Sequence, residues 1–187
     1  MSHPTPFAPG TFTWALGIED TCVYPPDGGP PLDEHALTDH TARMGQDLAM
    51  AAGTGATALR YGLSWPVTNP APGVFDWSAV DRAVDLAQEM GLTLVADLVH
   101  YGTPRWLPDA FADPGYPDGV AAFAGAVAER YGDRLRCFTP LNEPVTTASF
   151  CGLRGVWAPY RTGWAGWVEV VTGIALGVVR SVAAIRR

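Results

Sequence analysis

The feature that most constrains the fold is a fourfold alternation of apolar, strand-like runs with helix-like stretches. The strand-like runs cover residues 11–18, 56–64, 93–99 and 135–141, and helical patterns follow at 40–52, 76–90, 119–131 and near the C-terminus. No hairpin signal separates the strands, so we expect parallel strands joined by right-handed crossovers. The pattern predicts an α/β fold, either an open doubly wound sheet or a (β/α) barrel.

Two further observations favour the barrel. The glycine-rich nucleotide-binding signals of open sheets, G-x-G-x-x-G and G-x-x-x-x-G-K-[ST], are absent from the sequence. Polar side chains follow the strands instead, among them Glu19, Ser64, His100 and Glu143, and barrel enzymes place their chemistry at that rim. Four βα units form half of a TIM-type barrel, so residues 1–187 are predicted to be the N-terminal half of a single (β/α)8 domain.

Composition and charge exclude several classes of protein. The chain has 187 residues, 48% of them hydrophobic, and a net charge of -7, which predicts an ordered globular protein without a surface for nucleic acid or anionic membranes. Its three cysteines are far apart and form no C-x-x-C pair. The first ten residues show no signal peptide, and polar residues interrupt the apolar stretch 168–185. We therefore expect a cytoplasmic protein without a membrane span, with reduced thiols and no metal or other cofactor.

The strongest chemical signal is the sequence TPLNEP at residues 139–144, where the fourth predicted strand ends. Barrel walls would desolvate the Glu143 carboxyl group and raise its pKa, so that it stays protonated and can act as an acid. Asn142 beside it can hydrogen-bond a substrate hydroxyl. The alternative is an Asn-Glu pair that merely caps a turn before Pro144.

This segment resembles the acid/base motif of glycoside hydrolase family 1, the β-glucosidase family. Four more segments agree with that family in order and spacing: FTW at 12–14, LRYGLSWP at 59–66, DLVHYGTP at 97–104 and GLRGVWAP at 152–159. They resemble the family patterns F-x-W, Y-R-F-S-x-S-W-P, T-L-x-H-W-D-L-P and G-x-x-x-G-x-x-A-P-G. The resemblance covers nearly the whole chain.

The resemblance implies a role for each matching residue in a retaining β-glycosidase that hydrolyses O-glycosidic bonds of saccharides or glycosides. Glu143 would be the general acid and then the general base, and Asn142 would hold the sugar 2-hydroxyl. His100 would bind another hydroxyl of the same sugar. Arg60 would lie beneath the site and orient the nucleophilic carboxylate.

Departures from the family pattern lie at the sugar-binding positions. Where the family has a sugar-binding Gln, this sequence has Glu19 in the run GIEDT. Glu19 can substitute as an acceptor for two hydroxyls, or it can be a loop carboxylate without a ligand, and both interpretations stay open. Tyr101 stands where the family has Trp, and Gly102 stands where it has an acid.

The second carboxylate of a retaining site is missing from the predicted strand ends. The family resemblance implies a nucleophile from the seventh strand, beyond residue 187, and Asp97 is expected inside its strand rather than at the end. Two alternatives to a glycosidase remain: a non-catalytic carbohydrate-binding remnant, and a module fused to a sugar-nucleotide enzyme. A half barrel also predicts either pairing with a C-terminal half-barrel or self-association, because its sheet edges and inner face are uncovered.

Overall fold

A computed structural model of the chain describes residues 7–187. Residues 1–6, part of the segment in which no signal peptide is predicted, lie outside that range. The strands are β1 (Ala15–Ile18), β2 (Cys22–Val23), β3 (Leu32–Asp33), β4 (Ala58–Gly62), β5 (Thr93–Asp97) and β6 (Cys137–Thr139). The helices are α1 (Glu34–Leu37), α2 (His40–Gly53), α3 (Trp65–Thr68), α4 (Ser78–Glu89), α5 (Tyr116–Tyr131), α6 (Pro144–Ala148) and α7 (Gly163–Ile185).

Four strands form one parallel sheet in the order β1-β4-β5-β6, and helices connect them. This is the first half of a (β/α) barrel, as the alternation of patterns predicts. The strands β2 and β3 form a separate antiparallel pair inside the Pro/Gly-rich loop. The sequence analysis did not predict this pair, since strands of two residues show no periodicity.

The two faces of the sheet differ in burial because helices cover only one of them. On the covered face, Leu59 and Tyr61 of β4 and Leu94 and Ala96 of β5 are buried in the main hydrophobic core. On the open face, Arg60 is in register with Gly17 and Val95, and Arg60 and Val95 are only partly buried. The strand β5 is therefore buried on one face and only partly buried along the other.

Helix α7 packs one face against α5 and leaves the other exposed. Its buried residues recur every three or four positions, at Gly166, Val170, Ile174, Gly177 and Ser181. Within residues 7–187 it is the one helix long and apolar enough to cross a membrane by length and composition alone, a test that core helices also pass. A helix in this region is confirmed, and one of its faces is buried.

Glycine residues on α7 allow this helix to lie close to the backbone of residues 110–112, just before α5. A Cβ atom added to Gly173 would lie 2.0 Å from the Phe111 carbonyl oxygen, which is far inside van der Waals contact. We expect Gly173→Ala to destabilise the protein by about 1–3 kcal/mol, because the backbone of residues 110–112 must move away. Urea unfolding measures this, with Gly53→Ala as the control.

Gly53 ends α2, and a Cβ atom there would meet nothing within 4 Å. Its replacement by Ala is expected to be neutral or to stabilise by up to about 1 kcal/mol. Equal effects of the two substitutions would contradict the tight contact between α7 and Phe111.

Candidate active site

After three strands of the sheet, the rim turn contains a residue with left-handed backbone geometry. Ser64 follows β4 with φ 45°, Tyr101 follows β5 with φ 67°, and Glu143 follows β6 with φ 41°. Side-chain-bearing residues adopt such angles at an energetic cost, and they concentrate at functional sites. These sharp turns lie at the carboxyl ends of parallel strands, the rim at which barrel enzymes bind substrate.

Glu143 is exposed at this rim, directly before Pro144 and α6. The Tyr101 hydroxyl donates a hydrogen bond to Glu143 Oε2 at 2.5 Å. That hydrogen bond, followed by one from Thr146, lowers the pKa of Glu143 below its ordinary value. The prediction of a raised pKa is therefore wrong for this chain, because residues 7–187 leave the carboxyl group facing solvent instead of enclosing it.

Four side chains beneath Glu143 form a closed ring of three hydrogen bonds and one ion pair. Arg60 Nη2 donates to Asn142 Oδ1 at 2.7 Å and forms an ion pair with Asp97 Oδ2 at 2.5 Å. Asn142 Nδ2 lies 3.2 Å from His100 Nε2, and His100 Nδ1 lies 2.7 Å from Asp97 Oδ2. The structure thus brings three residues predicted for the site, Arg60, His100 and Asn142, into direct contact.

Glu19 lies at the same rim, in the turn after β1. Its side chain is mostly exposed, and its Oε2 atom is 3.3 Å from His100 Nε2. The position is compatible with an acceptor for sugar hydroxyls, and its contact with His100 joins it to the group formed by the other predicted residues. Whether it binds a ligand stays a prediction.

Comparison with known proteins agrees with the arrangement of these residues. The sequence profile of glycosyl hydrolase family 1 matches residues 32–175. The chain belongs to glycosyl hydrolase family 1. It is 35% identical over 127 residues to the thermostable beta-glucosidase B of Thermobispora bispora, covering 63% of this chain and 26% of that protein.

Two further proteins are similar over more of the chain. The bifunctional beta-D-glucosidase/beta-D-fucosidase of Bifidobacterium breve is 29% identical over 174 residues, covering 79% of this chain and 37% of that protein. The beta-glucosidase of Thermotoga maritima, solved with a methoxycarbonyl-substituted glucoimidazole, superposes with a TM-score of 0.73 and 27% identity over 79% of this chain and 35% of that one. The chain therefore spans between a quarter and two fifths of the length of these relatives.

Two buried carboxylates, Asp20 and Asp97, lie beside these residues, and the sequence analysis did not include them in the site. Asp97 is the last residue of β5 rather than an interior one, and its side chain is turned toward Arg60 and His100. Asp20 accepts a hydrogen bond from the Ser64 backbone N–H at 2.5 Å. The available signal was an acid at position 97 of an otherwise apolar strand, where the family pattern has Thr.

The pKa of Asp20 is raised to about 8, first by burial and then by the negative charge of Asp97. A Cβ atom on Gly62 would lie 1.8 Å from Asp20 Oδ1, so the absence of a side chain at Gly62 leaves the space that this carboxyl group occupies. Asp20 Oδ1 and Asp97 Oδ1 are both buried without a protein hydrogen-bond partner. We therefore assign Asp20 as a neutral carboxylic acid at neutral pH, held beside Asp97.

The spacing of Asp20, Asp97 and His100 also resembles a cation site, since one donor atom of each lies within 4.8 Å of the others. The donors are already engaged, however. Asp97 Oδ2 contacts both the Arg60 guanidinium and His100 Nδ1, and His100 Nε2 faces Asn142 and Glu19. A cation at this position would compete with a guanidinium group for the same oxygen, so the donor set does not favour a metal.

An aromatic wall borders the site on the side of Glu143. The Trp157 ring centroid lies 4.9 Å from that of Tyr101, whose hydroxyl contacts Glu143. Trp164 and Trp167 instead contact each other on α7, outside this group. Of the three tryptophans, Trp157 is thus the one that the structure places next to the predicted acid, where a sugar ring could stack.

Proposed function

We propose that this chain supplies the acid/base half of a retaining β-glycosidase of the β-glucosidase type, which hydrolyses O-glycosidic bonds in carbohydrate metabolism. Glu143 protonates the departing glycosidic oxygen and, once it is a carboxylate, deprotonates the water that attacks the glycosyl-enzyme. The observation that supports this most strongly is the convergence of Glu143, Asn142 and His100 at the strand ends of a family 1 chain.

In this proposal the ring residues bind the sugar beside Glu143. Asn142 donates to the 2-hydroxyl, a hydrogen bond that strengthens as the sugar ring approaches the oxocarbenium-like transition state. His100 lines the same subsite and holds the Asn142 amide through its Nε2 atom, and Glu19 accepts from hydroxyls at the rim. Arg60 positions Asn142 through the hydrogen bond to its Oδ1 atom.

The nucleophile is proposed to lie outside residues 1–187, in the other half of a single (β/α)8 domain. A retaining site needs a second carboxylate about 5 Å from the acid. Among the described residues, Asp20 and Asp97 are both buried in hydrogen bonds below the rim. Closure by a second half-barrel would also desolvate Glu143 and raise its pKa into the range of a general acid.

A cytoplasmic location is part of the same proposal. Cys22, Cys137 and Cys151 are free thiols, which is typical of proteins in a reducing compartment.

The test is binding and hydrolysis by this chain, with glucoimidazole as the binding probe and a chromogenic β-glucoside as the substrate. We expect Asn142→Ala to weaken glucoimidazole binding about 5- to 150-fold, because each lost buried hydrogen bond costs about 1–3 kcal/mol. Calorimetry measures the affinity. Gln88→Ala, which removes an amide contact with Arg134 far from the rim, should leave it unchanged.

Turnover separates the two parts of the proposal. The chain alone is expected to bind the probe without hydrolysing the glucoside, because the nucleophile is absent. Hydrolysis that disappears in Glu143→Gln would support the acid role and contradict the proposed location of the nucleophile. A wild-type chain that does not bind the probe would contradict the sugar site itself.

The second candidate function is carbohydrate binding without catalysis. It is favoured by the exposure of Glu143 and by the hydrogen bond from Tyr101, which stabilises the carboxylate form and lowers the pKa of this group. The two functions differ when the chain is mixed with a C-terminal half-barrel of a family 1 enzyme: a glycosidase half gains turnover, and a binding module does not.

A further inference from the structure

We propose that Asp97 is a positioning residue of the sugar site, which closes the ring Arg60–Asn142–His100–Asp97 and so fixes the tautomer of His100 and the orientation of the Asn142 amide. This inference rests on the proposed function, since it concerns how that site is held in its binding geometry. It adds a residue at which the family pattern quoted above has Thr.

Two residues of the ring, Arg60 and Asp97, determine which group donates and which accepts in every hydrogen bond. An Arg guanidinium can only donate, and an ionised Asp can only accept. Arg60 Nη2 contacts one amide atom of Asn142 at 2.7 Å, which must therefore be the oxygen. The amide nitrogen of Asn142 then faces His100 Nε2 as a donor.

His100 is left with one arrangement that satisfies both neighbours. Its Nε2 atom accepts from Asn142, so the ring proton of the neutral imidazole is on Nδ1. Nδ1–H donates to Asp97 Oδ2, the oxygen that also receives the Arg60 guanidinium. Without Asp97, nothing in the ring would hold the proton on Nδ1, and the acceptor that Asn142 needs would be lost.

Burial of the ring strengthens the preference of His100 for the Nδ1–H tautomer. Asp97 is 1% exposed, His100 3% and Asn142 8%, so water cannot readily replace a missing partner. The position of Asp97 also follows from the sheet register, because it pairs with Gly62 on one side and Thr139 on the other. Arg60, two residues before Gly62 on the same strand, supplies the opposite charge.

The competing arrangement is a protonated His100 whose Nε2–H donates to Glu19, 3.3 Å away. Burial lowers the pKa of His100, but the hydrogen bond and charge of Asp97, together with the charge of Glu19, raise it above its ordinary value. The remaining charged groups around the imidazole are Arg60 on β4 and Glu143 after β6. In the competing arrangement Asn142 loses its acceptor and the ring opens.

The test is long-range ¹H–¹⁵N NMR of the imidazole nitrogens in the whole chain at pH 7.5, with His100→Gln used to assign the signals. The wild-type chain is expected to show the neutral Nδ1–H pattern for His100. Asp97→Ala should convert it to a mixture dominated by Nε2–H and weaken glucoimidazole binding at least 10-fold. Asp97→Asn keeps an acceptor oxygen at the same place, so it should retain the Nδ1–H pattern and bind within about 3-fold of wild type.

A matched control is built into the chain. His40 Nδ1 lies 2.7 Å from Asp47 Oδ2, the same contact at a position outside the rim, so Asp47→Ala should change the His40 signals and leave His100 and sugar binding unaffected. A wild-type imidazolium pattern, or an Nδ1–H pattern that survives Asp97→Ala, would overturn the inference. An intact wild-type pattern without probe binding would support the ring and contradict the proposed function, so the two failures are distinguishable.

The wild-type spectrum decides the tautomer even if Asp97→Ala does not fold. In that case Asp97→Asn still separates a positioning role of Asp97 from a purely structural role. If Asp97 acts only as a structural counter-charge for Arg60, the neutral Asn should disturb the His100 signals as strongly as a missing side chain would.

Discussion

Asp20→Asn is expected to make the protein more stable at pH 8 and to remove most of the loss of stability between pH 5 and 8. The pKa of the buried Asp20 is about 8 in the folded chain, against an ordinary value of 3.8. Between those values the folded state binds a proton that the unfolded state has released. The stabilising contribution is therefore complete below pH 3.8 and is lost as the pH rises toward 8, by at most about 1.4 kcal/mol per pH unit.

Asparagine imitates the neutral acid at every pH. Its oxygen can accept from the Ser64 N–H as Asp20 Oδ2 does, and its NH2 group can face Asp97, which has an unpartnered oxygen. Urea unfolding at pH 5, 6.5 and 8 measures the effect. Asp85→Asn, an exposed carboxylate paired with Arg134, is the control and should change stability by less than about 1 kcal/mol. A slope in Asp20→Asn as steep as in wild type would show that another group titrates.

The sequence predicts the fold well where periodicity and length are strong. The spans 40–52 and 76–90 correspond to His40–Gly53 and Ser78–Glu89, and the four parallel strands are found in the predicted order. The strands are shorter than predicted, since 135–141 contains only Cys137–Thr139. Apolar residues that follow a strand into its rim turn have the same composition as the strand, and only the hydrogen-bond ladder marks the end.

Site residues that follow a strand could be predicted from the sequence. A site residue whose role depends on being buried by distant parts of the chain could not. Glu143, Asn142 and His100 lie three or four residues after their strands end, so their positions at the rim could be inferred. Asp20 could not, because its enclosure depends on the missing side chain of Gly62, 42 residues later in the chain. The raised pKa predicted for Glu143 failed for a related reason: it assumed a wall that residues 7–187 do not form.

The chain is expected to self-associate in solution through the open side of its sheet. β1 is an edge strand, since it pairs only with β4 in the four-stranded sheet. Phe12 and Trp14, just before this strand, are 82% and 66% exposed and contact each other edge to face. Exposed apolar residues beside an unpaired strand edge favour pairing with another chain. Sedimentation velocity across a range of concentrations should show dimers or larger species.

A double substitution tests which surface is responsible. Phe12→Ser with Trp14→Asp should shift the distribution strongly toward monomer, because it removes the apolar contact and adds a charge at the edge. Trp164→Asp is the matched control, since Trp164 is also exposed but lies on α7, away from the sheet. If Trp164→Asp dissociates the oligomers into monomers and the double variant does not, the exposed face of α7 is the interface. A wild-type chain that stays monomeric at high concentration would show that the open face of the half-barrel is stable in water without a partner.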